Sequence, residues 1–308
     1  MKKYLFAAAL SIATSLSAFA ALDTAKIDEI TALRGKLNAE EGVYKVTFPR
    51  DDVNVMVAGW QMPPFMGLGT WAAFQGTNEK AMMMGDTVLF EDEVNSAMSA
   101  ALENGLSVTA LHNHFFFDEP KVYFMHIGGE GSVEKLAGAV KKVYDTIKMI
   151  RGSNAKPGNT FSQQALEKGP LATKNSITAA PLNEIFAMQG DVKDGMVKFT
   201  IGKKSKMGGM AIGKEIGVNT WAAFAGADDN AIVDGDFAVT EDELQPALKT
   251  LRRAGINIVA IHSHMTHENP RILFLHYWGR GPAKDLANAV KGALLVTGLS
   301  GVTASASN

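Results

Sequence analysis

All seven histidines of this 308-residue chain fall in two short windows, His112 to His126 and His262 to His276. The first window reads His112-Asn113-His114, then Pro120, then His126; the second reads His262-Ser263-His264, His267, Pro270 and His276. Residues i and i+2 of a strand share a face, so His112 and His114 can aim both imidazoles into one space, as can His262 and His264. A proline between two strand-like runs predicts a hairpin that returns His126, or His276, alongside each pair. Three imidazoles that leave one position open form the pattern of a reactive zinc site, and imidazole equally suits copper, iron or nickel. A lone buried histidine is more often a hydrogen-bonded structural residue, and a single His-x-His pair is weak. Three matched positions, present twice, weigh towards a divalent metal ion, with zinc first and copper second. The expected ligands are His112, His114 and His126 in one centre and His262, His264 and His276 in the other, with His267 an extra donor that Phe117 cannot supply.

The carboxylates divide by position. Glu93 and Glu243 recur at equivalent places and are the candidate general bases, while Asp118, aligned with Glu268, could complete a metal shell. Asp86 and Asp236 follow glycines and read as turn residues. A metal ion that brings a coordinated water to a pKa near about 7 makes a nucleophile available at neutral pH. The pattern therefore points to a metal-dependent hydrolase of the cell envelope. The alternative is a noncatalytic protein that sequesters or delivers a metal or recognises an envelope ligand; histidines that only hydrogen-bond across a hairpin are the third reading. Met82, Met83 and Met84, with Met56, Met62, Met66 and Met98, suggest a soft copper-binding patch, but methionine also fills irregular core gaps. Trp71 with Phe74, and Trp221 with Phe224, either line a ligand surface or belong to the core. Gly128-Gly129-Glu130-Gly131 could offer backbone N–H groups to an anion. It reads more simply as a tight strand-to-helix turn, with Pro282 of the second copy at the first helical position.

The elements that must position these residues occur twice. Thr70-Trp71-Ala72-Ala73-Phe74 returns as Thr220-Trp221-Ala222-Ala223-Phe224, and half of the positions from Thr70 to Glu93 match Thr220 to Glu243 without a gap. This is an internal duplication. Within a copy, a short helix over Ala25 to Arg34 precedes strand-like runs at Val43–Phe48, Val53–Gly59, Thr70–Phe74 and Ala81–Phe90. Glu91 to Glu103 spaces Val94, Met98, Ala101 and Leu102 along one helical face, and Thr240 with Glu243 predicts a capping box at the matching place. Strands at Leu106–Leu111 and Val122–Ile127 flank the histidine loop, and a helix over Val133 to Ile147 puts Leu136, Val140, Val143 and Ile147 on one stripe. The expected fold class is α+β, two homologous domains, each a mainly antiparallel sheet with a few helices. The first repeat spans 22–150, a linker rich in Gly, Pro, Ser and Asn spans 151–175, and the second repeat spans 176–300.

Residues 1–20 carry Lys2 and Lys3, an apolar run, and Ala18-Phe19-Ala20, the pattern of a signal peptide. The expectation is a periplasmic or secreted protein without a membrane anchor, since a bacterial lipid anchor requires a cysteine and the chain has none. The lack of cysteine also excludes disulfides, thiolate metal sites and cysteine nucleophiles. A net charge of −2 gives no basic face for a nucleic-acid partner, so a small-molecule or envelope ligand is expected instead.

With these residues laid out, the chain resembles the bacterial proteins of unknown function named for the mycobacterial LppY and LpqO lipoproteins. The likeness rests on Gly69-Thr70-Trp71-Ala72-Ala73-Phe74, Met84-Gly85-Asp86, Glu91 with Glu93, Ala110-Leu111-His112-Asn113-His114, and Pro120 through His126 to Gly129. It runs through nearly the whole chain after residue 20, once per copy. The chain departs from the lipoproteins in having no lipobox cysteine, and its second copy has Ser263 where the first has Asn113. The resemblance implies a two-copy domain architecture and supplies no reaction.

Overall fold

The computed structural model describes residues 22–158 and 169–298. The expected signal peptide over 1–20 lies outside the described residues, as does the middle of the expected linker. The first copy runs α1 (Thr24–Thr31), β1 (Lys36–Asn38), β2 (Val43–Pro49), β3 (Met56–Val57), β4 (Trp60–Gln61), β5 (Gly69–Gly76), β6 (Ala81–Phe90), α2 (Val94–Glu103), β7 (Ser107–His112), β8 (Asp118–Glu119), β9 (Val122–Gly131) and α3 (Val133–Ser153). The second runs α4 (Ala179–Phe186), β10 (Asp191–Lys193), β11 (Met196–Gly202), β12 (Ser205–Met207), β13 (Met210–Ile212), β14 (Asn219–Ala227), β15 (Asn230–Thr240), α5 (Glu241–Arg253), β16 (Asn257–His262), β17 (Ile272–Gly281) and α6 (Ala283–Val296).

Both copies contribute to one twelve-stranded sheet in the order β1-β2-β5-β6-β9-β7-β16-β17-β15-β14-β11-β10. The pairings between these strands are antiparallel, as expected for an α+β fold. The order is palindromic. The copies meet where β7 pairs with β16, Leu111 opposite Ile261. Among the described residues the α-helices cover one face, because their apolar stripes need the apolar positions that alternate along each strand. Leu136, Val140, Val143 and Ile147 of α3 and Val94, Met98, Ala101 and Leu102 of α2 are buried, as their spacing predicts. They join Met125, Ile127, Leu275 and Tyr277 in one hydrophobic cluster that runs beneath both copies.

The opposite face carries two smaller clusters. Val55, Met62 and Leu68 pack on Val88, Phe90, Val122 and Phe124 in the first copy, and Ile212 and Val218 pack on Ala238, Ile272 and Phe274 in the second. They cover one end of each half-sheet and leave the rest of that face open.

Three local expectations change. The run Val53–Gly59 is strand only at β3, which pairs with β4 and β8 in a small side sheet. The Gly128–Gly131 segment is no turn: β9 continues through it against β6, and Ser132 then caps α3. A side chain at Gly129 would press on Leu136 and Leu106 at 3.1 and 3.4 Å, so glycine there lets α3 close on the strand. Arg151 belongs to the last turn of α3 and is buried, paired with Asp92 and, at 2.7 Å, with Glu93. No helix among the described residues is long and apolar enough to cross a membrane.

Candidate metal centre

The second copy brings three donor groups together. His262 ends β16, His264 follows two residues later, and Asp236 lies in the middle of β15. His262 Nε2 and His264 Nε2 are 3.0 Å apart, and His264 Nε2 is 3.2 Å from Asp236 Oδ2. One ligand atom from each of the three lies within 4.8 Å of the others. His276, directly across from Asp236 in the β15–β17 register, flanks this group: its Nδ1 is 3.9 Å from Asp236 Oδ1, and its ring centroid is 4.4 Å from that of His262. The His264 ring lies flat on Phe274, 3.5 Å between centroids and 9° between planes. Phe274 is anchored in the lobe beneath, so the stack fixes the direction of the imidazole.

The first copy repeats the constellation in a looser form. Asp86 on β6 pairs across to His126 on β9, and His126 pairs on its other side to Ala110. The His112 ring lies 5.3 Å from that of His114 and 5.1 Å from that of His126, and His114 stacks on Phe124 at 3.9 Å. Among the described residues, the tight convergence of ligand atoms is met by the Asp236 group alone.

The electrostatics suit a cation. Asp86 Oδ1 and Asp236 Oδ1 are buried without a hydrogen-bond partner, as is His262 Nδ1. Burial lifts the Asp86 carboxyl above its usual range, while the neighbouring His126, His112 and His114 pull it back. Burial also lowers His262, opposed by Asp236 and reinforced by His276 and His264, and it lowers His114, reinforced by His112. Imidazoles held neutral beside an under-bonded carboxylate present lone pairs, which is the state that coordinates a metal ion.

Asp86 and Asp236 are the candidate donors that the sequence reading assigns to turns. Gly-Asp is turn vocabulary, yet both pairs sit inside long strands. The glycine has another cause: a Cβ on Gly235 would meet Tyr277 at 2.2 Å and the Trp221 carbonyl at 2.4 Å, and one on Gly85 would meet the Trp71 carbonyl at 2.7 Å. The recurrence of the dipeptide at the same place in both copies was the available signal.

The other carboxylates are committed elsewhere. Glu93 is fully buried; Arg50 donates to both its oxygens at 2.7 and 2.8 Å, and the Phe90 N–H donates to Oε2 at 2.9 Å. Glu243 completes the expected capping box with Thr240 and accepts from Lys203 at 2.5 Å. Both expected general bases are thus engaged in helix capping and ion pairing, and neither joins the converging donors. Asp118 accepts from the Val122 N–H at 2.7 Å and Glu268 from the Ile272 N–H at 3.0 Å, so each staples its histidine loop to the next strand. His267 is exposed at a left-handed corner, φ 68°, as is Phe117 at φ 61°, and it does not join the converging group. Trp71 and Trp221 face the open side, while Phe74 and Phe224 are core. The methionines split likewise: Met62, Met83 and Met98 are buried, and Met82 and Met84 are exposed.

No match is found among curated proteins or among solved structures. A family model described as Domain of Unknown Function (DUF1259) matches residues 25–146 and again 180–296, one match for each half of the twelve-stranded sheet. The chain therefore belongs to this family of unknown function and carries its domain twice.

Proposed function

We propose that each copy holds one divalent metal ion, through Asp236, His262 and His264 in the second and Asp86, His112 and His114 in the first, and uses it in a hydrolytic reaction of the cell envelope. The observation that carries this reading is the meeting of three donor atoms within 4.8 Å on a solvent-facing surface. Two imidazoles and a carboxylate suit zinc or ferrous iron. Copper is less favoured, because the exposed Met82 and Met84 become Ile232 and Asp234 in the copy whose donors converge best. A bound ion would act as a Lewis acid on a ligand oxygen. His126 and His276 flank the donors and are placed to complete the shell or to carry the proton that hydrolysis requires. The noncatalytic reading, metal storage or delivery, shares the site and differs only in turnover.

Location outside the cytoplasm rests on the pattern of residues 1–20, and the likeness to the LppY and LpqO lipoproteins is consistent with an envelope setting. Elemental analysis of purified full-length protein tests the central claim. Two zinc or iron ions per chain are expected, falling to one in Asp236→Asn, whose second site should lose more than the roughly 10- to 100-fold in affinity that outer-shell partners are worth. Protein that takes up no metal at equimolar supply overturns the reading. Metal-loaded protein inert towards ester, phosphate and glycan substrates selects storage or delivery.

A further inference from the structure

The palindromic strand order has a consequence for the two centres. Leu111 and Ile261, paired across the seam, both point into the helical core, so the residues that follow them, His112 and His262, both point to the open face. In this register the two histidines are diagonal neighbours, a relation that places side-chain roots about 7–8 Å apart. Ala110 and Ala260 lie between them and raise no side chain above the seam. The first centre, built from β6, β7 and β9, is centred over β9; the second, from β15, β16 and β17, is centred over β17. Three inter-strand steps of about 4.8 Å separate those strands, which sets the centres roughly 15 Å apart on one surface.

Side-chain amides also tie the two copies together across the seam. A β-bulge at Val108 and another at Ile258 leave a backbone N–H and carbonyl out of the ladder, and each pair is taken up by an amide from the other copy. The Val108 N–H donates to Gln245 Oε1 at 2.9 Å, and Gln245 Nε2 donates to the Val108 carbonyl at 2.8 Å. Asn95 does the same for Ile258, accepting from its N–H at 2.8 Å.

We infer that the two centres form a single bimetallic face, and that its ligand is a linear molecule with oxygen donors at both ends that bridges the ions across the β7–β16 seam. The inference rests on the metal reading above and extends it from two independent sites to one bidentate surface. A ligand tied down at one ion presents its other end to the second at high effective concentration, so affinity peaks where its length matches the span.

Copper(II) loaded into the full chain serves as the spectroscopic probe. Two ions per chain with a dipolar EPR distance of roughly 15 Å is the expected result. Two ions per chain at a distance beyond about 25 Å, more than five inter-strand steps, would overturn the common face and leave the metal reading standing. A single ion at the Asp236 group overturns the common face together with the first-copy centre and leaves the second-copy centre standing, and no ion overturns both readings. A series of α,ω-dicarboxylates added to zinc-loaded protein tests the bridge: a length matching the span should bind at least about 100-fold more tightly than a monocarboxylate. His262→Ala, which leaves the first centre intact, should abolish that advantage. Affinity independent of chain length overturns the bridging ligand.

Discussion

Asp236 and Glu243 lie seven positions apart and show how one residue type is sorted by its neighbours. Asp236 sits in mid-strand with a buried oxygen that lacks a hydrogen bond, next to three imidazoles. Glu243 takes Lys203 and the Thr240 N–H on one oxygen, and Glu93 is saturated by Arg50 and the Phe90 N–H. A carboxylate whose lone pairs are already engaged by a buried guanidinium has no capacity left to take a proton from a reacting group. Glu93→Gln should therefore act on stability. It would leave Arg50 with Asp52 and Arg151 with Asp92 as their remaining carboxylates, a loss of about 1.5–3 kcal/mol, measurable by urea unfolding, while zinc stoichiometry stays at the wild-type value. Unchanged stability with lost metal or lost turnover would return Glu93 to the reaction.

The strands make the site and the helices hold the seam. Period-two alternation puts His126 and His276 on the open face and their neighbours Ile127 and Tyr277 into the core, so each strand is bound to its position by the apolar half of its own sequence. Phe124 and Phe274, two residues before these histidines on the same face, are buried in the small lobes and give His114 and His264 a surface to stack on. At the seam the polar end of one amide side chain does the work of a ladder strand. Gln245→Ala would strand the buried Val108 N–H and carbonyl, and a loss of about 1–3 kcal/mol is expected. Denaturation of the variant checks this; a change under a few tenths of a kcal/mol would mean that the bulge groups find water instead.

Across the whole molecule, one sheet and one helix-side cluster join the copies. Thermal unfolding should accordingly show a single cooperative transition by calorimetry, where domains on a flexible linker would give two. Its pH dependence follows from the depressed imidazoles of His114 and His262. In the unfolded chain they take up protons near the ordinary histidine value of about 6.5, whereas burial delays that uptake in the fold. The unfolded state therefore binds more protons as pH falls through this value, and stability declines below it and is recovered above it. The raised Asp86 carboxyl works in the opposite sense, just above the ordinary carboxylate range. Metal release reinforces the decline, since protons and the ion compete for the same nitrogens. A Tm that is flat between pH 7 and pH 5, with and without chelator, would contradict this account.

The sequence by itself determined what is local. Strand and helix periods, the duplication, the Thr240–Glu243 cap and the shared face of each His-x-His pair follow from contacts between residues near in the chain. Tertiary structure decided what depends on register between distant strands. Asp86 meets His126 and Asp236 meets His276 only because β6 lies against β9 and β15 against β17. No residue type announces that pairing, and Gly-Asp argued for a turn. The seam had the same character: Leu111 opposite Ile261 is set by the packing of two copies against each other, and that packing turns two histidine clusters into neighbours.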